Sequence, residues 1–344
     1  MKQLMTFLAV ISFLFYSCNQ KGKDDFLVLK GKMIYHESIE TDESECLIGK
    51  PSEIIYCNSY LLFSDPYEGK AITVLNVNTK QCVRRFLDIG QGPGEVILPL
   101  KLSLSGDKYI NIFQIQTGRL YTYDINDIIN SASPAPILAQ YLFADRPANI
   151  VKTANGFTGI GMFEDGRYRL YDETGKISQA IGNYPFRGNS MNQLDRFFLY
   201  QGVLCASPDG KHFAFGTSYC DNIEFYRIEK DTVLLVRKYE TYDVDGNFNQ
   251  VVLLSDECVM AYKGACGTSR YCYMLYSGKK FGEQRRRSTG GEKIIVFDWK
   301  GTYIRSFESD QTIFWFSVDE KDSTIYAVTR DAKEGSFSIV RYNL

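Results

Sequence analysis

"KIIVFDWKGTYIRSF", Lys293 to Phe307, alternates apolar and polar residues, breaks at Asp298-Trp299-Lys300-Gly301, and alternates again. Alternation sends successive side chains to opposite faces of an extended strand, and a glycine at the break supplies the backbone angles of a tight reversal. The stretch reads as two antiparallel strands joined by a short turn. The same phrase recurs as "AITVLNVNTKQCVRRF" (Ala71 to Phe86), "YRLYDETGKISQAIG" (Tyr168 to Gly182) and "NIEFYRIEKDTVLLVRKY" (Asn222 to Tyr239). "GRLYTYDI" (Gly118 to Ile125) begins it, and "FSIVRYNL" (Phe337 to Leu344) closes the chain with its first half only.

A second hairpin stands before many of these phrases. "LCASPDGKHFAFGT" bends at Pro208-Asp209-Gly210 and "LSLSGDKYINIF" at Ser105-Gly106-Asp107, with "FSVDEKDSTIYAV" and "CNSYLLFSD" in the same position elsewhere. The unit is thus four strands repeating every roughly 40–50 residues, the spacing of a propeller blade. Counting phrases gives about six units between Phe26 and Leu344, so the expected fold is all-β, a six-bladed β-propeller of four-stranded antiparallel blades. The split last repeat calls for closure by N- and C-terminal strands in one blade, because an open ring would leave an unpaired edge. "FLVLKGKMIY" (Phe26 to Tyr35), or the segment just after it, can supply the strand beside "SIVRYNL". A two-domain β-sandwich would not need that split. No long stretch has helical periodicity.

Composition agrees with a β-rich chain. Of 344 residues, 44% are hydrophobic and 14% aromatic, with 24 Tyr and 23 Phe, and such residues favour strands. The formal net charge of −2 provides no global field for nucleic acid, so no nucleic-acid partner is expected.

The chain begins with Lys2 and an apolar run from Leu4 to Phe15, too short to span a bilayer comfortably and suited to a signal-peptide core. "FYSC" ends the run. Residues 1–17 read as a lipoprotein signal peptide, with Cys18 as the acylated first residue of the mature protein. Residues 18–25, polar and charged, read as a flexible tether, and 26–344 as the propeller domain. The Lys23-Asp24-Asp25 cluster also resembles a short acidic export tag of some surface lipoproteins. A soluble secreted protein with an incidental cysteine is the alternative.

Eight further cysteines follow Cys18. Cys205 with Cys220, Cys266 with Cys272, and Cys57 with Cys82 are the nearest disulfide candidates, although spacing cannot fix connectivity and each pair also suits small buried hydrophobes. No C-x-x-C is present.

"DIGQGPGEV" (Asp88 to Val96) lies where the chain crosses from the rim of one blade to the inner strand of the next. Gly90, Gly92 and Gly94 permit angles other residues resist, and Pro93 fixes one φ. No helix pattern follows, so a phosphate cradle is not indicated.

These residues carry a family resemblance. "GQGPGEVILP", "LSLSGDKYINIF" and "GRLYTYD" together resemble an NHL-type propeller repeat. "SYLLFSD", "GQGPGE", "LYSGK" (Leu275 to Lys279) and "VFDWKG" (Val296 to Gly301) resemble the TolB-like six-bladed propeller lipoproteins of Gram-negative bacteria. The resemblance covers nearly all of the mature chain, while Tyr141 to Tyr184 departs from the repeat pattern. It implies fold and an outer-membrane location, periplasmic or cell-surface facing, and no reaction.

Chemistry-bearing residues are few. His36 and His212 are the only histidines, which rules out a three-histidine zinc site within one chain. "YDVDGNFNQ" (Tyr242 to Gln250) alternates Asp243, Asp245, Asn247 and Asn249 as calcium ligands might, but Phe248 and Leu254 stand where an EF-hand needs Gly and Glu. No metal or cofactor is expected. "SGKKFGEQRRRSTGGEK" (Ser277 to Lys293) is a basic insertion, expected to be solvated. Its functional alternative is an anion-binding arm carried by Arg285, Arg286 and Arg287, whose guanidiniums fork onto phosphates or carboxylates.

The sequence therefore favours a monomeric, non-enzymatic binding module for protein or glycan, held to a membrane by its lipid. A propeller hydrolase or lyase acting on a sugar or lactone in the central pocket is the runner-up.

Overall fold

The computed structural model describes residues 26–41, 46–131, 134–186, 188–230, 232–247, 253–284, 290–330 and 335–344. Blade 1 is built by Ser52–Cys57, Tyr60–Tyr67, Lys70–Asn76 and Gln81–Asp88, hydrogen-bonded in that order. Blade 2 follows with Leu100–Ser105, Tyr109–Gln114, Arg119–Asp124 and Ala139–Leu142, and blade 3 with Asn149–Thr153, Gly156–Ile160, Tyr168–Tyr171 and Ile177–Ile181. Blade 4 comprises Gly202–Ala206, His212–Thr217, Asn222–Glu229 and Thr232–Glu240. Blade 5 contains Tyr262–Gly267, Tyr271–Tyr276 and Gly291–Asp298. Its outer strand is the first part of Tyr303–Val318, whose second part becomes the inner strand of blade 6. Thr324–Arg330, Phe337–Asn343 and the N-terminal His36–Ser38 complete blade 6. The first strands of consecutive blades touch around the whole ring, blade 6 back to blade 1.

The expected closure is present, and it uses the segment just after Tyr35. His36–Ser38 pairs antiparallel with Phe337–Asn343 in register His36 with Tyr342. Lys32–Ile34 does something else. It runs parallel to the outer strand of blade 5, Lys32 opposite Phe307.

Burial explains the sequence pattern. The third strand of blade 1, KAITVLN, is buried at its five central positions because neighbouring blades cover both faces. The outer strand of blade 4, TVLLVRKYE, is almost wholly exposed. The recurring turns share one device. Asp172 Oδ1 accepts the backbone N–H groups of Thr174 and Lys176, and Asp298 Oδ1 those of Lys300 and Thr302. A short acceptor at the turn's first position satisfies amides that the ladder cannot reach.

The glycine-rich crossing cradles its own carboxylate. Gly92 N–H donates to Glu95 Oε2 at 2.7 Å, and a Cβ on Gly90 would stand 2.0 Å from that oxygen. Gly94 adopts φ +81°, which favours glycine.

The disulfide expectations are corrected. Cys82 is bonded to Cys46, with Cα atoms 5.5 Å apart. Cys57 lies on the inner strand and Cys82 on the outer, three strand spacings or roughly 14 Å apart, beyond disulfide reach. Cys266 and Cys272 are near in register but point to opposite sides of blade 5. Cys272 Sγ is 3.5 Å from Cys205 Sγ of blade 4, while Cys266 faces Ser317 of blade 6. Cys205, Cys220, Cys266 and Cys272 are all free thiols. Alternation sends Cys266 and Cys272 to opposite faces, and Cys220 lies past the end of its strand in a different cluster from Cys205.

Candidate functional site

Inner strands run from the face carrying the inter-blade connections, here the top, to the face carrying the first-to-second strand turns, the bottom. At the bottom the turns knit together. Gly106 N–H of blade 2 donates to the Pro208 carbonyl of blade 4 at 3.0 Å, and Ala154 N–H of blade 3 donates to the Gly210 carbonyl at 2.9 Å. Above this floor lies an axial cavity of about 160 Å³ lined by residues from all six inner strands.

Its wall is mostly apolar, with Ile55, Leu102, Val151, Leu204 and Phe316 among its members. Three charged side chains join them: Glu53, Lys101 and Lys263. Glu53 and Lys101 pair at 2.6 Å across the seam of blades 1 and 2. Glu53 has φ +51° where the ladder skips between Ser52 and Ile55, and Lys263 occupies a second skip, between Tyr262 and Gly264. Such bulges redirect a side chain that regular alternation would aim elsewhere.

The top face is capped. The connection between blades 3 and 4 contains the helix Gln193–Leu199, N-capped by Asn192, whose side chain accepts the Asp195 N–H. The connection between blades 4 and 5 contains the two-stranded ribbon Gly246–Asn247 with Leu253–Leu254. Tyr184, Leu199, Tyr200, Cys220, Val244 and Cys258 pack into a small core above blades 4 and 5. Leu194 and Phe198, one helical turn apart and each about half exposed, project on the helix's outer side, near Met162, whose carbonyl accepts the Gln193 amide. Beneath the helix, Arg167 is buried, donating to Glu224 at 2.9 Å and Asn222 at 2.7 Å.

The residues singled out in the sequence disperse. His36 bridges Asp310 at 2.8 Å on the closing strand. His212 stacks on Trp299, and burial holds its imidazole below the ordinary value. Asp243 accepts the Tyr200 hydroxyl, and Asp245 accepts the Ser255 hydroxyl, so both serve the cap. Asn249 lies outside the described residues, as do Cys18 and Arg285 to Arg287. The basic insertion joins the second and third strands of blade 5, so its flanks open on the top face. Among the described residues, no three His, Cys, Asp or Glu side chains gather as a metal site. The axial charges escaped the sequence reading because only ring closure brings residues as distant as Glu53 and Lys263 to one cavity. The cap had a local signal, the Asn192 N-cap before an apolar run.

The architecture is that of a six-bladed propeller with a closed floor and a loop-built cap. A sequence profile of the TolB-like 6-blade propeller-like family matches residues 29–321, and the chain belongs to that family. Among solved structures, a Bacteroides fragilis protein that carries the description of an exported protein is 15% identical, with 90% of this chain and 94% of that one covered and a TM-score of 0.56. A DUF4221-family protein from Bacteroides vulgatus is 12% identical, with 92% and 100% covered and a TM-score of 0.53. These likenesses concern the fold. No curated protein matches the sequence.

Proposed function

We propose that this chain is an exported propeller, tethered by lipid at Cys18, that binds a protein partner on its capped top face. One observation carries the reading: the cap helix leaves Leu194 and Phe198 about half exposed, side by side and near Met162, on the loop-built face. Lys32–Ile34 runs parallel to Phe307–Ser309, which climbs from bottom to top. Phe26 packs at the outer edge of the ring between blades 4 and 5, edge-on to Tyr239 and stacked on Tyr303. A tether from Cys18 would join the ring at that outer edge, and eight residues reach at most about 28 Å.

Other features support this reading. Propellers carry recognition on their loops. Met162, Leu194 and Phe198 offer apolar anchors of the kind protein interfaces bury. The signal-like Leu4 to Phe15 run agrees with the description of the Bacteroides fragilis relative. The hydrolase or lyase reading needs converging carboxylates, whereas among the described residues Glu53 is the one carboxylate lining the cavity and is held by Lys101.

The test uses the full lipidated chain in cells. A photo-crosslinking residue at Leu194 should yield a protein adduct, and one at Lys300 on the bottom turn should not. Glycan adducts alone, or equal adducts from both positions, would overturn the reading. Mass spectrometry of the mature N-terminus should find acylated Cys18, and an unmodified cysteine there removes the anchor.

A further inference from the structure

Among the described residues, no carboxylate neutralises one cation of the axial cavity. Lys263 stands near the top of the inner strand of blade 5, brought to the cavity by the bulge after Tyr262. Its Nζ lies 5.3 Å from the Tyr219 ring centroid. Lys263 makes no ion pair among the described residues, and the Cys258 thiol of the cap core stands near its ammonium. The other two charges of the wall, Glu53 and Lys101, cancel each other. The wall thus carries one uncompensated positive charge beside that pair, the polar side chains of Ser103, Asn149 and Ser317, and a larger apolar share.

We propose that the axial cavity binds a small organic carboxylate, with Lys263 as its counter-ion and the inner-strand aliphatics around its carbon body. Cavity size sets the scale. A cavity of about 150 Å³ accommodates a benzene ring, so about 160 Å³ suits a body of roughly six to eight heavy atoms. The floor formed by Gly106 and Pro208 blocks passage through the ring, which makes the cavity a cup with one mouth. A carboxylate fits better than phosphate. Phosphate needs several charged donors to replace its water, whereas this wall presents one ammonium outside the Glu53–Lys101 pair, beside Ile55, Leu102, Leu204 and Phe316. Burial lowers the Lys263 amine to about 8, so it remains protonated at neutral pH while losing much of its hydration. An arriving carboxylate supplies the missing partner. Tyr219 stabilises the ammonium through its ring face and leaves its N–H groups free to donate.

Isothermal titration calorimetry on the full mature chain tests this, with butyrate and benzoate as probes and butyramide and inorganic phosphate as controls. Binding of at least one carboxylate is expected, weakened at least tenfold in Lys263→Met and retained in Lys263→Arg. Butyramide and phosphate should bind at least tenfold more weakly than the carboxylate. Ser103→Leu, which fills the cavity and leaves Lys263 in place, should abolish binding, and it keeps the test decisive if Lys263→Met misfolds. Absence of carboxylate binding to the parent chain overturns the proposal. So does butyramide or phosphate binding as tightly as butyrate, or undiminished binding by a folded Lys263→Met. The outcome is independent of whether the cap binds a protein.

Discussion

His36 faces Tyr342 across the antiparallel ladder that joins the two ends of the chain. Beside this pair, Glu37 accepts from Arg341 at 2.8 Å and Asn343 at 2.8 Å, and Ile39 N–H donates to the Ile339 carbonyl at 2.9 Å. Strand pairing and charge thus hold the same three-residue strand. A chain beginning at Ile39 should melt several degrees below one beginning at Phe26. It should also self-associate, because Phe337–Asn343 becomes a free edge. Scanning calorimetry and light scattering compare the two. An unchanged melting temperature with a monomeric product would contradict the closure.

Cys46 and Cys82 close a loop of 36 residues in sequence. Cross-linking a loop of this length removes denatured-state entropy equivalent to about 2–4 kcal/mol. Cys46→Ser should therefore lower the melting temperature by about 4 °C for a chain of this size. Peptide mapping should recover the Cys46–Cys82 linkage and leave Cys57, Cys205, Cys220, Cys258, Cys266 and Cys272 alkylated as thiols. A Cys57–Cys82 peptide would contradict the strand order of blade 1.

The blade repeat was legible because each hairpin writes its period and its turn locally. "KIIVFDWKGTYIRSF" carries both the alternation and the Asp298 turn that the structure uses. The split last repeat even announced that the ring would close. What the sequence hid depends on contacts between blades. Cys205 approaches Cys272, not Cys220, because the blade wedge brings neighbouring faces together. Glu53, Lys101 and Lys263 are each unremarkable polar residues on a strand, and become a site only when six inner strands converge on one axis. The Asp243 and Asp245 pattern, by contrast, looked like chemistry and serves cap packing.

Lys263 should cost stability at neutral pH. Its amine is held near 8 by burial, against about 10.4 in an unfolded chain. Below about pH 8 both states are protonated and the burial penalty is constant. Between about 8 and 10.4 the native state has released a proton that the unfolded state keeps, so stability rises with pH. Lys263→Met should therefore stabilise the chain at pH 7, by about 1–2 kcal/mol after allowance for partial exposure. The advantage should vanish above about pH 10.4. Urea titrations of both proteins at pH 7 and pH 10.5 read this directly. A destabilised Lys263→Met at pH 7 would show that the ammonium has a native partner.

Gly90 and Glu95 should be energetically coupled with a change of sign. Gly90 has no positive φ, so an alanine there is compatible with the backbone. Its Cβ, however, would occupy the space of Glu95 Oε2 and expel the carboxylate from the Gly92 N–H. Gly90→Ala alone should then cost about 1 kcal/mol, the net worth of that hydrogen bond less the entropy gained by removing a glycine. Glu95→Ala alone should cost about 1–2 kcal/mol. Once Glu95 is truncated, the site is vacant and Gly90→Ala should stabilise by roughly 0.5 kcal/mol. A double-mutant cycle by chemical denaturation measures the coupling. Additive effects would mean that the glycines serve the chain crossing alone and that the carboxylate merely rests in the loop. The predicted reversal would instead make "GQGPGE" a self-binding motif, in which the glycines are small because the glutamate that follows them has to turn back and fill the loop.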